Sequence, residues 1–523
     1  REVGESGLDL SRTVGWFTSV YPVRLDFEAI DLDAAFEGDA AAGYALRKMK
    51  EELRRTSDRG LGYGLLRWLN EETGAELSRL PQAEIAFNYL GRFESSRQQA
   101  NPSDAHDATW RLFGDGLVGG EDDPGRQRFH LIDVNAVLDG NGCLRINWTY
   151  HPDAHAEASI QDLAERYAHA LVALTKHCQE APLDQRLTPS DFSLAKQAGL
   201  DQSLLDELAV DPTFEEVVPL APLQWGLAYE SWLLGEDRCQ DPYHVQIAFE
   251  LQGRLDVARL RTAFERLVAR HEILRLRVPF AALDRGLGVI GKRGLDWRVE
   301  QEVGRSLEDW LHEDHAAAFD LAQGPLLRIR LIEKSADRHV ILLSNHHAIL
   351  DGWSTPLLFS DLWSLYRGED LPAPYSWREQ LAWLSKQDRA QALDYWRDHF
   401  AGAEASGALG LPKARVQKAG IGEHSVSLSP EVSRQVEAYA RQQGLTLSAV
   451  YQGAYMLLLA RLSSRSEMTI GVTRSGRSSD RPGIERAVGL YIQTLPLRRE
   501  MGLGEDLSEW LRDLQEEQAR QEE

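Results

Sequence analysis

The chain has 523 residues, more than a single domain usually holds, so we predict at least two hydrophobic cores. Hydrophobic residues make up 43% and charged residues 27%, which is typical of a globular protein, and no apolar run approaches the length of a membrane-spanning helix. The formal net charge of −23 disfavours a nucleic-acid surface. We therefore expect neither nucleic acid nor a membrane among its partners.

The cysteine content argues against disulfide and zinc frameworks. Cys143, Cys178 and Cys239 are too few and too scattered for either. This usage predicts a reducing, cytoplasmic location and no bound metal. The chain opens on Arg1 rather than Met and carries no signal peptide, and we interpret it as a piece of a longer protein.

Residues 1–180 alternate helix and strand patterns, which predicts an α+β domain. Asp39 is a suitable cap for a helix that runs to Arg55, and Ser159 is expected to cap a later helix. Three strands are predicted, at 86–91, 129–137 and 144–150, the last two forming a hairpin around Asp139-Gly-Asn-Gly142.

Little apolar periodicity is found from residue 181 to residue 212, and this segment is predicted to be an interdomain linker. A second domain then begins near residue 213. Its predicted elements, in chain order, are a helix opening at Pro219–Gln224, a strand at 243–251, a helix at 257–270 and strands at 326–332 and 339–344.

The stretch His346-His-Ala-Ile-Leu-Asp-Gly-Trp-Ser354 follows an apolar strand and precedes a helix that we expect Thr355 to cap. Successive side chains leaving a strand point to opposite sides, so only one histidine of the pair can face a given cavity. A neutral imidazole can accept a proton from an amine, alcohol or thiol, which favours catalysis over a buried structural histidine. A metal site is disfavoured because no cluster of Cys or Glu lies nearby in the sequence.

A long internal repeat joins the two ends of the chain. Residues 12–25 and 486–499 share Arg, Val, Gly, Pro and a later Arg in register, at an offset of 486 − 12 = 474 residues. A period of this length indicates a duplicated domain rather than a solenoid. We therefore expect the first domain to lack its beginning and the second to lack its end.

His346 to Gly352 resembles the HHxxxDG signature of condensation domains in nonribosomal peptide synthetases, a superfamily similar to chloramphenicol acetyltransferase. The resemblance covers residues 214–523 and includes the segments PLAPLQ, RHEILR and VGLYIQTLPLR. It implies an α/β (α+β) fold of chloramphenicol acetyltransferase-like lobes, with mixed sheets flanked by helices in a V-shaped arrangement. The expected lobes are residues 213–395 and 396–523, the second truncated at its end.

Residues 1–180 resemble the C-terminal lobe of an epimerization domain from the same synthetases. The segments RTVGWFTSVYPV, GLGYGLL and FNYLG occur in the order found in that family. The family's catalytic Glu and its histidine motif have no counterpart here, so we expect this segment to be inactive as an epimerase on its own. Asn88 and Tyr89 match residues near the family's active site and are expected to be supporting groups; a turn Asn and a core Tyr are equally compatible with the pattern.

The resemblance also implies a mechanism of acyl transfer between two carrier proteins. His347 is expected to act as a base or to position the acceptor amine, and His346 to support the loop. Asp351 would be structural and paired with Arg477, while Gly352 would let the backbone approach the substrate and assist the oxyanion. Because an epimerization segment precedes this domain, we expect a D-configured donor.

The same resemblance implies no directly bound cofactor, since phosphopantetheine arrives on the carrier proteins. The expected partners are donor and acceptor carrier proteins and a neighbouring adenylation domain, in the cytoplasm of a bacterium that makes a peptide antibiotic or other secondary metabolite. Two alternatives stay open: an ester-forming acyltransferase of the same superfamily, and a non-catalytic docking module. The intact histidine motif favours an enzyme over the second of these.

Overall fold

The computed structural model describes residues 13–15, 17–92, 128–138, 142–182, 185–235, 241–302, 304–403, 422, 424–477, 481–500 and 504–521. The chain divides into two compact units. The first comprises Arg1–Asp191 with Leu205–Ala209, and the second comprises Phe192–Leu204 with Val210–Glu523. The finer boundaries at residues 180, 212 and 395 stay predictions.

The first unit is built on a three-stranded sheet in the order β1-β2-β3, with β1 and β2 parallel and β2 and β3 antiparallel. Its strands are β1 (Ile85–Arg92), β2 (Ile132–Leu138) and β3 (Leu144–Tyr150). Its helices are α1 (Leu32–Phe36), α2 (Ala40–Arg55), α3 (Leu61–Trp68), α4 (Glu71–Leu77) and α5 (Glu157–Glu180). The antiparallel β2–β3 pairing confirms the predicted hairpin, whose tip at 139–141 lies outside the described residues.

Of the two helix caps predicted in the first unit, one is confirmed and the other is wrong. The side chain of Asp39 accepts a hydrogen bond from the backbone N–H of Ala41, which confirms the predicted start of α2. The cap proposed at Ser159 is wrong, because α5 begins at Glu157 after Ala156. Ala156 is extended and makes no side-chain cap, so the start of this helix has no signature in the residue type.

The predicted linker contains regular structure. It holds α6 (Ser193–Gln197) and α7 (Gln202–Ala209), and its buried apolar residues include Ala195, Leu200, Leu204, Leu205 and Leu208. Asp201 caps α7 by accepting from the backbone of Leu204. Helices this short give little periodic signal, which explains why the sequence pattern resembled a tether.

The described residues of the second unit form three sheets, in the orders β5-β10-β9-β8, β4-β7-β6 and β11-β12. Its strands are β4 (Phe214–Pro219), β5 (His244–Gln252), β6 (Leu276–Arg277), β7 (Leu287–Gly291), β8 (Asp296–Gln301), β9 (Leu327–Ser335), β10 (Arg338–His346), β11 (Glu467–Arg474) and β12 (Gln493–Glu500). Its helices are α8 (Pro222–Leu233), α9 (Val257–Arg270), α10 (Phe280–Leu283), α11 (Leu307–Ala316), α12 (Ser354–Arg367), α13 (Trp377–Ser385), α14 (Arg389–His399), α15 (Pro430–Gln443), α16 (Leu447–Ser463) and α17 (Leu507–Arg520).

The four-stranded sheet is mixed, because β8 and β9 are parallel while β10 is antiparallel to both β5 and β9. Ile341 and Leu343 on β10 lie in the main hydrophobic core with residues of α9 and α12. Side chains alternate along a strand, so Ser344 and His346 belong to the opposite face, on which Ser344 contacts α11. His346, the last residue of β10, therefore lies on the face opposite that core, and His347 follows the strand in a turn.

The two copies of the internal repeat have different local structure. In the second copy β12 pairs with β11 in an antiparallel ladder. The matching residues 19–26 form no strand.

A cluster of buried charges surrounds Asp314 on α11. The carboxylate is fully buried and accepts hydrogen bonds from Gln246 at 3.0 Å, Arg328 at 3.2 Å and Arg330 at 3.1 Å. Burial opposes its ionisation, but polar contacts from His244, Ser344 and Gln246 and the charge of Arg328 outweigh burial and hold the pKa of Asp314 well below its ordinary value. This carboxylate joins the sheet to α11.

Replacement of Asp314 by asparagine is expected to lower the free energy of unfolding by about 3 kcal/mol at pH 7, because two buried arginines lose a charged partner. The folded pKa lies below the unfolded value of 3.8, so this contribution is fully present above pH 3.8 and is lost as the pH falls toward the folded pKa. Urea unfolding of the wild-type and D314N proteins at pH 7 and pH 3 should show that the difference between their free energies of unfolding is smaller at pH 3. A difference equal at both pH values would contradict the assignment.

Candidate active site

The histidine motif lies on the loop between β10 and α12. Asp351 accepts hydrogen bonds at Oδ1 from the backbone N–H of Ser354 at 2.9 Å and from its hydroxyl at 2.8 Å. This contact starts α12 at Ser354, one residue before the cap predicted at Thr355. The aspartate of the motif thus orders the loop locally, as Asp side chains commonly do at helix starts.

His346 is fully buried at the end of β10. Its Nδ1 accepts a hydrogen bond from the backbone N–H of Ala348 at 3.1 Å, and its Nε2 lies 2.9 Å from the hydroxyl of Ser231 and 3.5 Å from Oδ2 of Asp241. A ring nitrogen that accepts an N–H carries no proton, so His346 is neutral with its hydrogen on Nε2.

Ser231, His346 and Asp241 together contain the residue types of a hydrolase triad, but their geometry does not fit one. Both the hydroxyl and the carboxylate approach the same ring nitrogen, whereas a triad places them on opposite nitrogens. All three side chains are also buried. We therefore assign this trio to supporting the loop.

His347 differs from its neighbour in every contact. Its backbone N–H donates to the carbonyl of Tyr243 at 2.8 Å, which anchors the residue to the start of β5. Its side chain is half-buried, and Nδ1 is shielded from solvent without a hydrogen-bond partner among the described residues. The position of the ring is thus set by its backbone and by packing, and no described residue forms a hydrogen bond with its side chain.

The predicted ion pair between Asp351 and Arg477 is present and buried. Arg477 donates from Nη1 to Oδ2 of Asp351 at 2.8 Å and from Nη2 to Oδ1 at 3.0 Å. Nη2 also donates to the hydroxyl of Ser354 at 2.9 Å and to the carbonyl of Ala487 at 3.0 Å. This two-pronged geometry is the strong form of an arginine–carboxylate contact.

Backbone groups of the second repeat copy complete the same network. Tyr491 donates its N–H to Oδ2 of Asp351 at 2.9 Å, and Asp351 donates its own N–H to the carbonyl of Gly489 at 3.1 Å. The hydroxyl oxygen of Ser354 accepts the N–H of Gly489 at 2.9 Å and lies 2.8 Å from the carbonyl oxygen of the same residue. The loop after β10 is therefore joined to the segment before β12.

Gly476 explains how Arg477 reaches this network. Its φ is +63°, and a Cβ added there would lie 1.9 Å from the carbonyl oxygen of Tyr491. Only glycine satisfies both conditions, because other residues are strained at this φ and any side chain would collide with the backbone. By contrast, a Cβ on Gly352 would meet nothing within 4 Å, so no contact in the described structure requires glycine there.

Asn88 and Tyr89 lie on β1 of the first unit. Both are exposed, and Asn88 donates to Oδ1 of Asn135 on β2 at 3.2 Å. The interpretation of Tyr89 as a core residue does not fit its exposed fraction of 56%. Asn88 lies within a strand rather than a turn.

Three polar residues of the site were not singled out from the sequence: Ser231, Asp241 and Gln224. Gln224 is fully buried and donates from Nε2 to the carbonyl of Ala348 at 2.8 Å, so it holds the loop from α8. Its position in the PLAPLQ segment was a usable signal. Asp241 precedes Pro242 in a turn pattern, but nothing in the sequence connected it with residue 346.

The described residues contain no group of three or more His, Cys, Asp or Glu side chains arranged to hold a metal ion. No single helix among them is both long and apolar enough to cross a membrane, although α15 and α16 together reach that length and composition across a bend of 107°. Cys143 and Cys178 form no disulfide, and Cys239 lies outside the described residues.

The mixed sheets flanked by helices form a fold of the chloramphenicol acetyltransferase-like class. The fold matches the condensation domain of the polyketide synthase MokA, with a TM-score of 0.50 and 21% identity over 59% of this chain and 74% of that chain. It also matches the X-domain from teicoplanin biosynthesis in complex with OxyB, with a TM-score of 0.50 and 25% identity over 59% of this chain and 71% of that chain.

The family model of the condensation domain matches residues 1–197 and 214–523. The chain therefore belongs to the condensation-domain family, the acyltransferases of nonribosomal peptide synthetases. A linear gramicidin synthase of Brevibacillus parabrevis is 35% identical over 99% of the chain, and chondramide synthase of Chondromyces crocatus is 33% identical over all of it. The chain spans only 10% and 14% of these two relatives.

Proposed function

We propose that residues 213–523 form an amide bond between two carrier-bound substrates. The α-amine of an acceptor aminoacyl thioester attacks the carbonyl carbon of a donor thioester. The C–N bond forms, the C–S bond breaks, the amine loses a proton and the donor phosphopantetheine leaves as a thiol. The peptide then remains on the acceptor carrier protein, and the chain itself binds no cofactor.

The contacts of His347 carry this proposal. Its backbone is fixed by Tyr243, its ring is only half-buried, and no hydrogen bond from the described residues occupies its side chain. A neutral imidazole in this state can accept a hydrogen bond from the attacking amine and then its proton. Because a neutral amine is already nucleophilic, positioning contributes alongside proton transfer.

The remaining motif residues would support this ring. His346 makes all of its side-chain contacts with buried groups, which suits a structural role. Asp351 has both oxygens occupied by Arg477 and by backbone or hydroxyl donors, so it is not free to act as a general base. The backbone at Gly352 is proposed to approach the thioester carbonyl and assist the developing oxyanion.

We propose further that residues 1–180 are the C-terminal part of an epimerization domain, which would make the donor D-configured. The Gly15-Trp-Phe-Thr form of the first repeat copy supports this assignment, since the second copy has Gly489-Leu-Tyr-Ile-Gln-Thr. Asn88 and Tyr89 would then be groups beside that domain's active site. We also propose carrier and adenylation domains as its neighbours and a bacterial cytoplasm as its location, because the two synthases named above come from bacteria and are many times longer than this chain.

The test is amide formation by the intact protein that contains this chain. Donor carriers bearing D- or L-configured aminoacyl groups are mixed with acceptor carriers bearing an amine or a matched hydroxy acid, and the carrier-bound products are identified by mass. We expect an amide product and a preference for the D donor. Ester formation without amide would establish the ester-forming alternative, and no product with any pair would favour the docking module.

A further inference from the structure

Asp241 contacts the ring of His346 directly and the backbone of His347 through Tyr243, although the family signature does not contain it. It lies in the turn before β5, where only 6% of its surface is exposed. One carboxylate oxygen faces His346 in the loop, and the other accepts a hydrogen bond from Tyr243 within the turn itself, so each makes a separate connection.

The first connection runs through the side chain of His346. Oδ2 of Asp241 lies 3.5 Å from Nε2 of His346, and the hydroxyl of Ser231 lies 2.9 Å from the same nitrogen. Because the other ring nitrogen accepts the N–H of Ala348, Nε2 carries the proton and points at these two oxygens. The orientation of the buried ring is therefore fixed from both sides.

The second connection runs through the backbone to His347. Oδ1 of Asp241 accepts the N–H of Tyr243 at 2.9 Å, and the carbonyl of Tyr243 accepts the N–H of His347 at 2.8 Å. The carbonyl of Asp241 also accepts the N–H of His244 at 3.2 Å. The turn that holds the backbone of His347 is thus held in place by the same carboxylate.

We propose that Asp241, assisted by Ser231, is a positioning residue that places the imidazole of His347 for the condensation reaction. It touches no substrate and acts only through the two histidines. This inference rests on the proposed function of His347. Burial works against the charge of Asp241, but hydrogen bonds from His346, Tyr243 N–H and Ser231 lower its pKa below the ordinary value and keep the carboxylate ionised.

The test replaces Asp241 by asparagine in the intact protein and follows a single turnover of pre-loaded carriers. The amplitude reports the fraction of active protein, whereas the rate constant reports positioning. We expect the rate constant to fall about tenfold, as for the loss of one charged hydrogen bond, with the amplitude unchanged. Ser231→Ala, which removes a neutral partner, is expected to cost about threefold and provides a second measurement if D241N does not fold.

A double-mutant cycle with His347 separates positioning from general damage. If Asp241 acts only through His347, D241N should change the residual rate of H347A by less than about twofold. The matched control is Asp361→Asn. Asp361 is also a carboxylate that is shielded from solvent, and it pairs with Arg270 and His271 at a site away from the loop. This control should lower stability and leave the rate constant unchanged.

The outcomes distinguish this inference from the proposed function. Asp241 is not a positioning residue if the wild-type protein forms amide and D241N forms it with the same rate constant. The same conclusion follows if D241N slows H347A by the same factor by which it slows the wild-type protein. If the wild-type protein forms no amide, the proposed function fails instead. The ¹⁵N chemical shifts of His346 in histidine-labelled protein then test the contact alone, and a shift at Nε2 in D241N is expected.

Discussion

Replacement of His347 by alanine is expected to lower the single-turnover rate constant of amide formation by about 10²–10⁴-fold, the range typical of losing a positioned acid–base group. The stability of the protein should change little, by about 1 kcal/mol or less, because the side chain makes no hydrogen bond with the described residues and is only half-buried. Loading of both carrier proteins should be unaffected.

The neighbouring histidine is a matched control for this prediction. His346→Ala removes the same side chain one position earlier, but there it is fully buried and bonded to Ser231 and the backbone of Ala348. We expect it to lower the free energy of unfolding by about 1–3 kcal/mol through unsatisfied buried groups. A H347A protein that condenses at the wild-type rate would refute the proposed role of the second histidine.

The type and order of the elements on either side of this loop were predictable from the sequence. β10 contains a continuous apolar run, β9 alternates apolar residues with Arg328 and Arg330, and α12 shows a clear helical pattern, so their type and order were predicted. The partner of Asp351 was predicted by the family resemblance alone. No local pattern links residues 351 and 477, which are 126 positions apart.

The contacts that depend on tertiary packing were not predictable in this way. Asp241 and Ser231 meet His346 from a turn and from α8, and neither element has a charge pattern that points to β10. The same holds for Asp314, which gathers arginines from β9 although α11 shows only an ordinary capping box at Ser306. Such buried polar groups satisfy one another across elements, and only the assembled fold reveals their partners.

Replacement of Arg477 by alanine is expected to lower the free energy of unfolding of the second unit by about 3–5 kcal/mol, because it leaves the carboxylate of Asp351 buried without its counter-charge. The same change should abolish condensation, since the clamp that joins the loop after β10 to the segment before β12 is lost. Arg477→Lys keeps the charge but not the planar fork, and we expect an intermediate loss. Urea unfolding monitored by tryptophan fluorescence measures both variants.

A double variant and a surface control decide whether charge or packing causes this loss. Asp351→Asn combined with Arg477→Leu removes both charges, so it should be less destabilising than the sum of the single changes, with a coupling of about 1–3 kcal/mol. Arg338→Ala breaks an exposed ion pair with Glu250 in the same unit and should leave the free energy of unfolding almost unchanged, because solvent screens exposed charges. If R477A proved as mild as R338A, the buried pair would not be what holds the loop, and the ordered position of His347 would need another cause.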